Sequence, residues 1–407
     1  MALQLPTEAL FGVRVQREVG TGRASALATE DENHLALAGG FGQILDSGTT
    51  PVTIAAAEDF AYFSLTDLGY APVKNTTVLP PEINPNPFPG GAFTTGAWAE
   101  GTNSMIARLD NRLGWLLLAA CGSFSTSVDD PVAGANTHTF SPYHTITAEA
   151  QAFLPWLQTV RLLPHTVAAQ QIGEITRDAH IRSLTLTAAS SAPVTIDLDM
   201  LGRIYQEAPE TDYNFDVDAD SFFAPTFDGY DDFAVTNCCG GLTVGDILFP
   251  TINVSATITN NLLQPAQSIV IGSMHPMDFP NLTRSVTITA TILVEDYEIY
   301  MKHFTGDNTL DFSDGAIDQN VGCPVFVEDF SAEFCAQTMV TGTTPHTITI
   351  ASAGTDNVAW TVQPLRITPN QPIVLQLTGQ VLRNATNSFN IQLVNATANY
   401  DVATPVP

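Results

Sequence analysis

The feature that most constrains this chain is a β-hairpin written twice. The first copy leaves along Ile181 to Ala188, turns through Ser190-Ser191 and returns along Pro193 to Met200, reaching Gly202-Arg203. The second leaves along Leu365 to Thr368, turns through Pro369-Asn370 and returns along Pro372 to Gly379, with Arg383 beyond. In both, an arginine sits in the outgoing strand and a proline opens the return. Alternation with period two puts aliphatic side chains on one face and Thr, Asp or Gln on the other, so each strand has one dry and one wet face. A repeated supersecondary unit predicts two related domains in tandem, of the kind that build rings or arrays.

Other strands carry the same alternation. Ile252, Val254, Ala256 and Ile258 alternate with Asn253, Ser255, Thr257 and Thr259, and Val286, Ile288, Ala290 and Ile292 with Thr287, Thr289 and Thr291. Further strands are expected at 51–55, 60–65, 137–147, 156–163, 347–351, 358–362 and 389–394. Threonine suits the solvated side of a sheet. Two helices are expected among these strands. One runs from Thr102 to Cys121, with Thr102, Asn103 and Ser104 offering an N-cap, Met105, Leu109, Leu113, Leu116, Leu117 and Ala120 forming its apolar stripe, and Gly122 closing it. The other runs from Glu295 to Thr305, acidic at its start, with Lys302 and His303 at its end.

The expected order is an extended N-terminal arm over 1–45, one domain over 46–235 and a second over 236–407, with an insertion at 307–345 standing outward. The proline-rich stretch 79–91 excludes helix and central strand, so it must project or lie on a surface. Glu207 to Asp232 holds nine acids and no base, which marks a partner-facing loop.

Charge narrows the functional classes. With 42 acidic against 14 basic residues the net charge is −28, and only Lys74 and Lys302 are lysines. Such a surface repels nucleic acid and anionic membrane. It reads equally as simple solubility or adaptation to high salt. The N-terminus has no basic start or signal-like apolar core, so folding in a cytoplasm is expected, and the Asn-x-Ser/Thr triplets at Asn75, Asn253, Asn281, Asn384 and Asn395 read as strand and loop chemistry. The longest apolar run, Trp115 to Cys121, is too short to span a bilayer. Five cysteines (Cys121, Cys238, Cys239, Cys323, Cys335) are too few and irregular for a disulfide scaffold; Cys323 and Cys335 have the option of pairing, but a buried free thiol is the preferred reading for each.

The sequence contains no Gly-x-Ser-x-Gly elbow, P-loop, His-Glu-x-x-His or Cys-x-x-Cys. Asp216-Val217-Asp218-Ala219-Asp220 opens like a calcium loop, but Ser221 replaces the required glycine and Phe227 the bidentate glutamate, leaving a solvated acidic loop. His138 and His144 read as strand surface rather than a metal pair, and Cys238-Cys239 beside Gly240-Gly241 as a turn. No enzyme, cofactor or metal is expected.

The order of these pieces resembles the tail tube (major tail) proteins of long-tailed bacteriophages and archaeal tailed viruses, in the form with two tube domains fused in one chain. The resemblance rests on Leu116 to Gly122, on His180 to Leu186 with the Gly202-Arg203 return, on Ile252 to Asn261, on Tyr297 to Gly306, and on Gln376 to Gln380 with Ile391 to Asn395. It implies a mainly β fold of β-sandwich or barrel tube domains with one helix each. Copies would join into a closed β-barrel ring, a trimer with pseudo-hexameric symmetry, and rings would stack into a hollow tail tube that passes viral DNA without binding it specifically.

The lumen candidates are Thr185, Thr187, Thr195, Asp197 and Asp199, then Thr287, Thr289 and Thr291, with Gln376 and Thr378 in the second copy. The other reading of these polar rows is that they face outer solvent. An acidic, threonine-rich wall would repel and wet the DNA. Stacking would fall to the N-terminal arm, the proline-rich loop and the 207–232 loop. The implied partners are further copies of the chain, a tape measure protein, and tail terminator and distal tail proteins, with no membrane; the implied location is the virion tail, assembled in the host cytoplasm. Rival readings are an acidic adhesin or S-layer-like module, or a minor tail or capsid decoration protein.

Overall fold

In the computed structural model, the described residues are 10–18, 34–36, 61–80, 88, 91–108, 113–130, 135–142, 154–163, 172–209, 233–234, 241–245, 247–271, 273–276, 279–294, 326–340, 344–353, 357–364, 367, 369, 372–383 and 388–395. Strands β1 (Leu10–Glu18), β2 (His34–Ala36), β3 (Ala61–Phe63), β4 (Leu65–Leu68), β5 (Ala71–Val78) and β6 (Ala92–Ile106) precede helix α1 (Leu113–Cys121). Then come β7 (Gly122–Asp130), β8 (Ala135–Pro142), β9 (Leu157–Leu163), β10 (Ile172–Ala189) and β11 (Thr195–Pro209). Next are β12 (Phe233–Ala234), β13 (Leu242–Val244), β14 (Ile247–Phe249), β15 (Thr251–Leu262) and, after a one-turn helix at Pro265–Ser268, β16 (Asn281–Leu293). The order closes with β17 (Val327–Glu328), β18 (Phe330–Met339), β19 (Pro345–Ser352), β20 (Val358–Val362), β21 (Val374–Val381) and β22 (Phe389–Asn395).

Two antiparallel sheets hold these strands, so the mainly β class is correct. The larger sheet runs β17-β20-β21-β16-β15-β10-β11-β6-β4, with β5 also on β6, β9 on β10 and β1 on β9. The smaller runs β14-β13-β18-β19-β22-β8-β7. Both cross the boundary expected near 235: β10 pairs with β15 in one, β8 with β22 in the other. The apolar faces meet in one continuous core that includes Leu184, Leu186, Ile196 and Leu198 from the first half and Ile258, Ile288, Leu377 and Ile391 from the second. The two halves therefore share their hydrophobic core.

Helix α1 lies inside that core, against β10 and β15 on one side and β7 and β8 on the other. All nine of its residues are buried, so it needs no polar face. It is half the length expected. Thr102 to Ile106, read as its first turn, is instead the end of β6. Thr102, Asn103, Ser104 and Ile106 are weaker helix formers than Ala or Leu, and pairing with β11 decides it. Gly101 marks where β6 exchanges β5 for β4 as partner. Its φ is +150°, and a Cβ there would lie 2.2 Å from the Gly69 carbonyl oxygen, so only glycine fits the crossing. Gly122, at φ +86°, ends α1 as expected.

The first hairpin stands as read, with Ile181 opposite Met200 and Thr187 opposite Thr195. The second does not. Its returning strand is β21, but the partner is β20, with Val358 opposite Val381 and Val362 opposite Leu377. Ile367 lies in the connection, exposed and outside any strand. Within the expected arm, β1 pairs with β3 and β9 and buries Phe11 and Val13. Within the expected insertion, β18 pairs with β19 and buries Phe330, Ala332 and Phe334, so this part is core rather than outward decoration. The helix expected at 295–305, the strand at 51–55, most of the 207–232 loop and residues 307–325 lie outside the described residues.

Candidate functional site

Alternation along the central strands of the larger sheet turns one face toward the core and leaves the other polar. Cross-strand registers assemble that polar face into rows. One row reads Asp67, Ser104, Asp197, Thr185, Thr257, Thr287, Gln380 across β4, β6, β11, β10, β15, β16 and β21. The next reads Thr195, Thr187, Ser255, Thr289, Thr378, Thr361 and so extends to β20. All ten lumen candidates fall on this one face. They are half-buried on β10 and β11, and Thr289, Gln376 and Thr378 are exposed.

Hydroxyls and amides cross-link the rows. The Thr185 and Thr257 hydroxyls lie 3.0 Å apart and those of Thr187 and Ser255 3.1 Å, while the Thr287 hydroxyl donates to Gln380 Oε1 at 3.1 Å. Ser104 Oγ donates to Asp197 Oδ1 at 2.5 Å. Asp199 is held by Arg182, whose Nε and Nη2 reach the two carboxylate oxygens at 2.6 and 2.8 Å. That bidentate pair cancels one of the few charges on the face. Strands β15, β16, β20 and β21 contain no acidic residue. The face is therefore threonine-rich as expected, but acidic only on its β4 and β11 side. The chain's acid excess lies elsewhere.

Sequence reasoning missed Ser104 because it placed that residue in a helix, although the alternation of Thr102 and Ser104 with buried Asn103 and Met105 carries the strand signal. It also missed a polar knot at the upper end of β9, β10 and β11. There Arg161 bonds Glu174, Glu174 accepts from Tyr205 Oη at 3.1 Å, and Arg161 Nη1 donates to the Tyr70 carbonyl at 2.8 Å. Burial pushes the Tyr70 phenol far above its ordinary range, against hydrogen bonds with Thr176 and Thr159 that lower it. The His180 ring packs tilted at 38° against Trp156, 3.8 Å between ring centroids. The knot ties β9, β10 and β11 to the Tyr70 backbone.

His138, expected on a strand surface, is buried, with Nε2 3.1 Å from Asn395 Oδ1; His144 lies outside the described residues. Cys335, expected to be a free thiol, is disulfide-bonded, to a partner outside the described residues. Cys121 is free and buried at the end of α1. Burial pushes its thiol up to about 12, against a smaller downward pull from Arg284. Iodoacetamide at pH 8 is therefore expected to leave the Cys121 peptide unlabelled in the folded protein and to label it in urea, as peptide mass spectrometry would read. Among the described residues, no group of three or more His, Cys, Asp or Glu is placed to hold a metal, and no helix is long and apolar enough to cross a membrane.

A family model described as phage tail tube protein matches residues 40–323. No curated protein matches the chain.

Proposed function

The chain belongs to the phage tail tube protein family, which makes it a structural component of a virion tail, and from that premise we propose that its polar sheet face lines the bore of the tube. The observation that carries the reading is the continuity of that face across both halves. Eight strands (β4 or β5, β6, β11, β10, β15, β16, β21, β20) contribute to it, four from each half. The two halves then play equivalent parts in a ring, as tandem tube domains would.

The sheet edges support ring closure. Among the described residues β4 and β5 pair only with β6, and at the far side β17 covers only Val358 and Ala359 of β20. Open edges of this kind are completed by a neighbouring copy. Three copies give about 24 strands, which at about 4.8 Å each make a wall of roughly 115 Å circumference and about 37 Å backbone diameter, ignoring tilt. Inward side chains narrow the bore to about 25 Å, leaving a DNA duplex little clearance.

The chemistry of the face suits a conduit. Hydroxyls keep the wall wet, and the two polar rows contain no Lys or Arg to hold phosphates in transit. The implied partners remain those of a tube: further copies of the chain, a tape measure protein inside it, and terminator and distal tail proteins at its ends, with assembly in the host cytoplasm.

Thr289→Arg tests the reading. Thr289 is exposed and opposite Thr378, so the substitution should leave the fold unchanged. In assembled virions it should slow triggered DNA release several-fold at low salt, and raised salt should close the gap. Release measured by dye fluorescence at the wild-type rate would count against a bore-facing position.

A further inference from the structure

Both ends of the strands that build the polar face expose apolar side chains, in a chain that is strongly acidic. Strand β15 runs to Leu262 and β16 returns from Asn281, so the segment 263–280 sits at one end. There Val270, Ile271 and Met274 are exposed, Ile271 fully. The segment is fixed to the β5–β6 hairpin: the Ala97 amide donates to the Met274 carbonyl at 2.7 Å, and His275 Nδ1 lies 3.0 Å from the Ala97 carbonyl oxygen. The hairpin's own tip adds exposed Val78 and Phe93 beside the proline-rich stretch.

The opposite end is the one where β14 leads into β15, β16 finishes and β21 begins. Leu248, Leu293 and Ile367 are exposed there, at 64, 36 and 69%. The Leu293 amide donates to the Pro250 carbonyl at 2.8 Å, and Leu293 is opposite Val374, so these residues share one rim. Lone exposed aliphatics are ordinary, but two groups at the two ends of the same strands are not.

Charge picks the occupant. Two copies at −28 each repel wherever their acids approach. Ile247 to Met277 contains no Asp, Glu, Lys or Arg, and no acid occurs between Asp356 and Asp401. The two rims thus offer a second copy exposed apolar side chains on stretches of low acid content.

We propose that copies dock head to tail, the Ile271 rim of one on the Ile367 rim of the next. This rests on the tube reading above and names its stacking contact. Because the two surfaces differ, the contact is heterologous and repeats without closing, which generates a filament.

The test uses Ile271→Asp and Ile367→Asp in the full chain, at raised salt, viewed by negative-stain microscopy. Both positions are exposed, so the unfolding midpoint should not move. Each variant alone should form single rings and lose at least tenfold in mean filament length. Mixed, they should form two-layer particles, because the intact Ile367 rim of the Ile271→Asp variant still meets the intact Ile271 rim of the Ile367→Asp variant. If wild type stacks and either variant stacks equally well, this contact is wrong while the tube reading stands. Two-layer particles from Ile367→Asp alone would mean identical rims meeting, and would also overturn it. Wild type that forms neither rings nor stacks at any salt overturns the tube reading and this contact together.

Discussion

Arg203→Met is expected to lower the unfolding free energy of the chain by about 3–5 kcal/mol, the usual consequence of stranding one charge of a buried pair. Arg203 is 2% exposed, and its Nε lies 3.1 Å from Asp178 Oδ2. Asp178 is itself 4% exposed and sits at φ +54°, where β10 shifts register against β9 between Thr176 and Ala179. The irregular backbone turns the carboxylate inward, and Arg203 is its ion-pair partner there. Loss of the guanidinium leaves an ionised group in a dry site. Adding Asp178→Asn should recover much of the loss, so the double variant should be clearly more stable than the sum of the single changes. Urea unfolding of the four proteins measures this. An Arg203→Met midpoint within error of wild type would mean that water reaches the pair.

Asn260→Ala is the second large effect. Asn260 is fully buried, and its Nδ2 donates to the carbonyls of Ala120 and Ile181, each at 3.0 Å. The first is an end-of-helix carbonyl on α1; the second lies where β10 shifts register against β11 between Ile181 and Ser183. Helix ends and strand irregularities are where backbone carbonyls need side-chain donors, and Asn260 supplies one to each. A buried carbonyl left without a donor costs about 1–3 kcal/mol. Arg284 Nη1 also reaches the Cys121 carbonyl at 2.9 Å, so the helix end is held twice and α1 should remain formed in the variant. Circular dichroism should therefore show native content alongside the lowered urea midpoint. A midpoint within about 0.5 kcal/mol of wild type would mean that water replaces the amide at the helix end.

These two sites were the least legible in the sequence. Arg203 and Asp178 are 25 residues apart and Asn260 and Ala120 are 140 apart, and no local pattern announces either contact. Strands β15 and β16 were legible because Val254, Ala256, Ile258 and Val286, Ile288, Ala290 each keep strict alternation over a half-buried surface. The same alternation misled at 365–368: Ile367 lies outside any strand, and the partner of β21 is Val358 to Val362, which was legible as a strand but not as the partner. Thr102-Asn103-Ser104 imitates a helix cap, yet Asn103 is buried and accepts the Tyr70 amide at 3.1 Å, a tertiary contact that outweighs the local signal. The ten polar positions were found because period two fixes a face; that they form one face on one sheet needed the register between the halves.

The central claim is that this face looks inward. A cryo-electron microscopy reconstruction of the assembled protein, at a resolution that separates strands, tests it most directly. The row Thr187, Ser255, Thr289, Thr378 is expected to face the axis of a closed wall, with about eight strands per copy. The smaller sheet also has a polar outer row, Glu333, Thr349, Gln392, Thr139. A bore lined by that row, with the threonine face turned to outer solvent, would contradict the account.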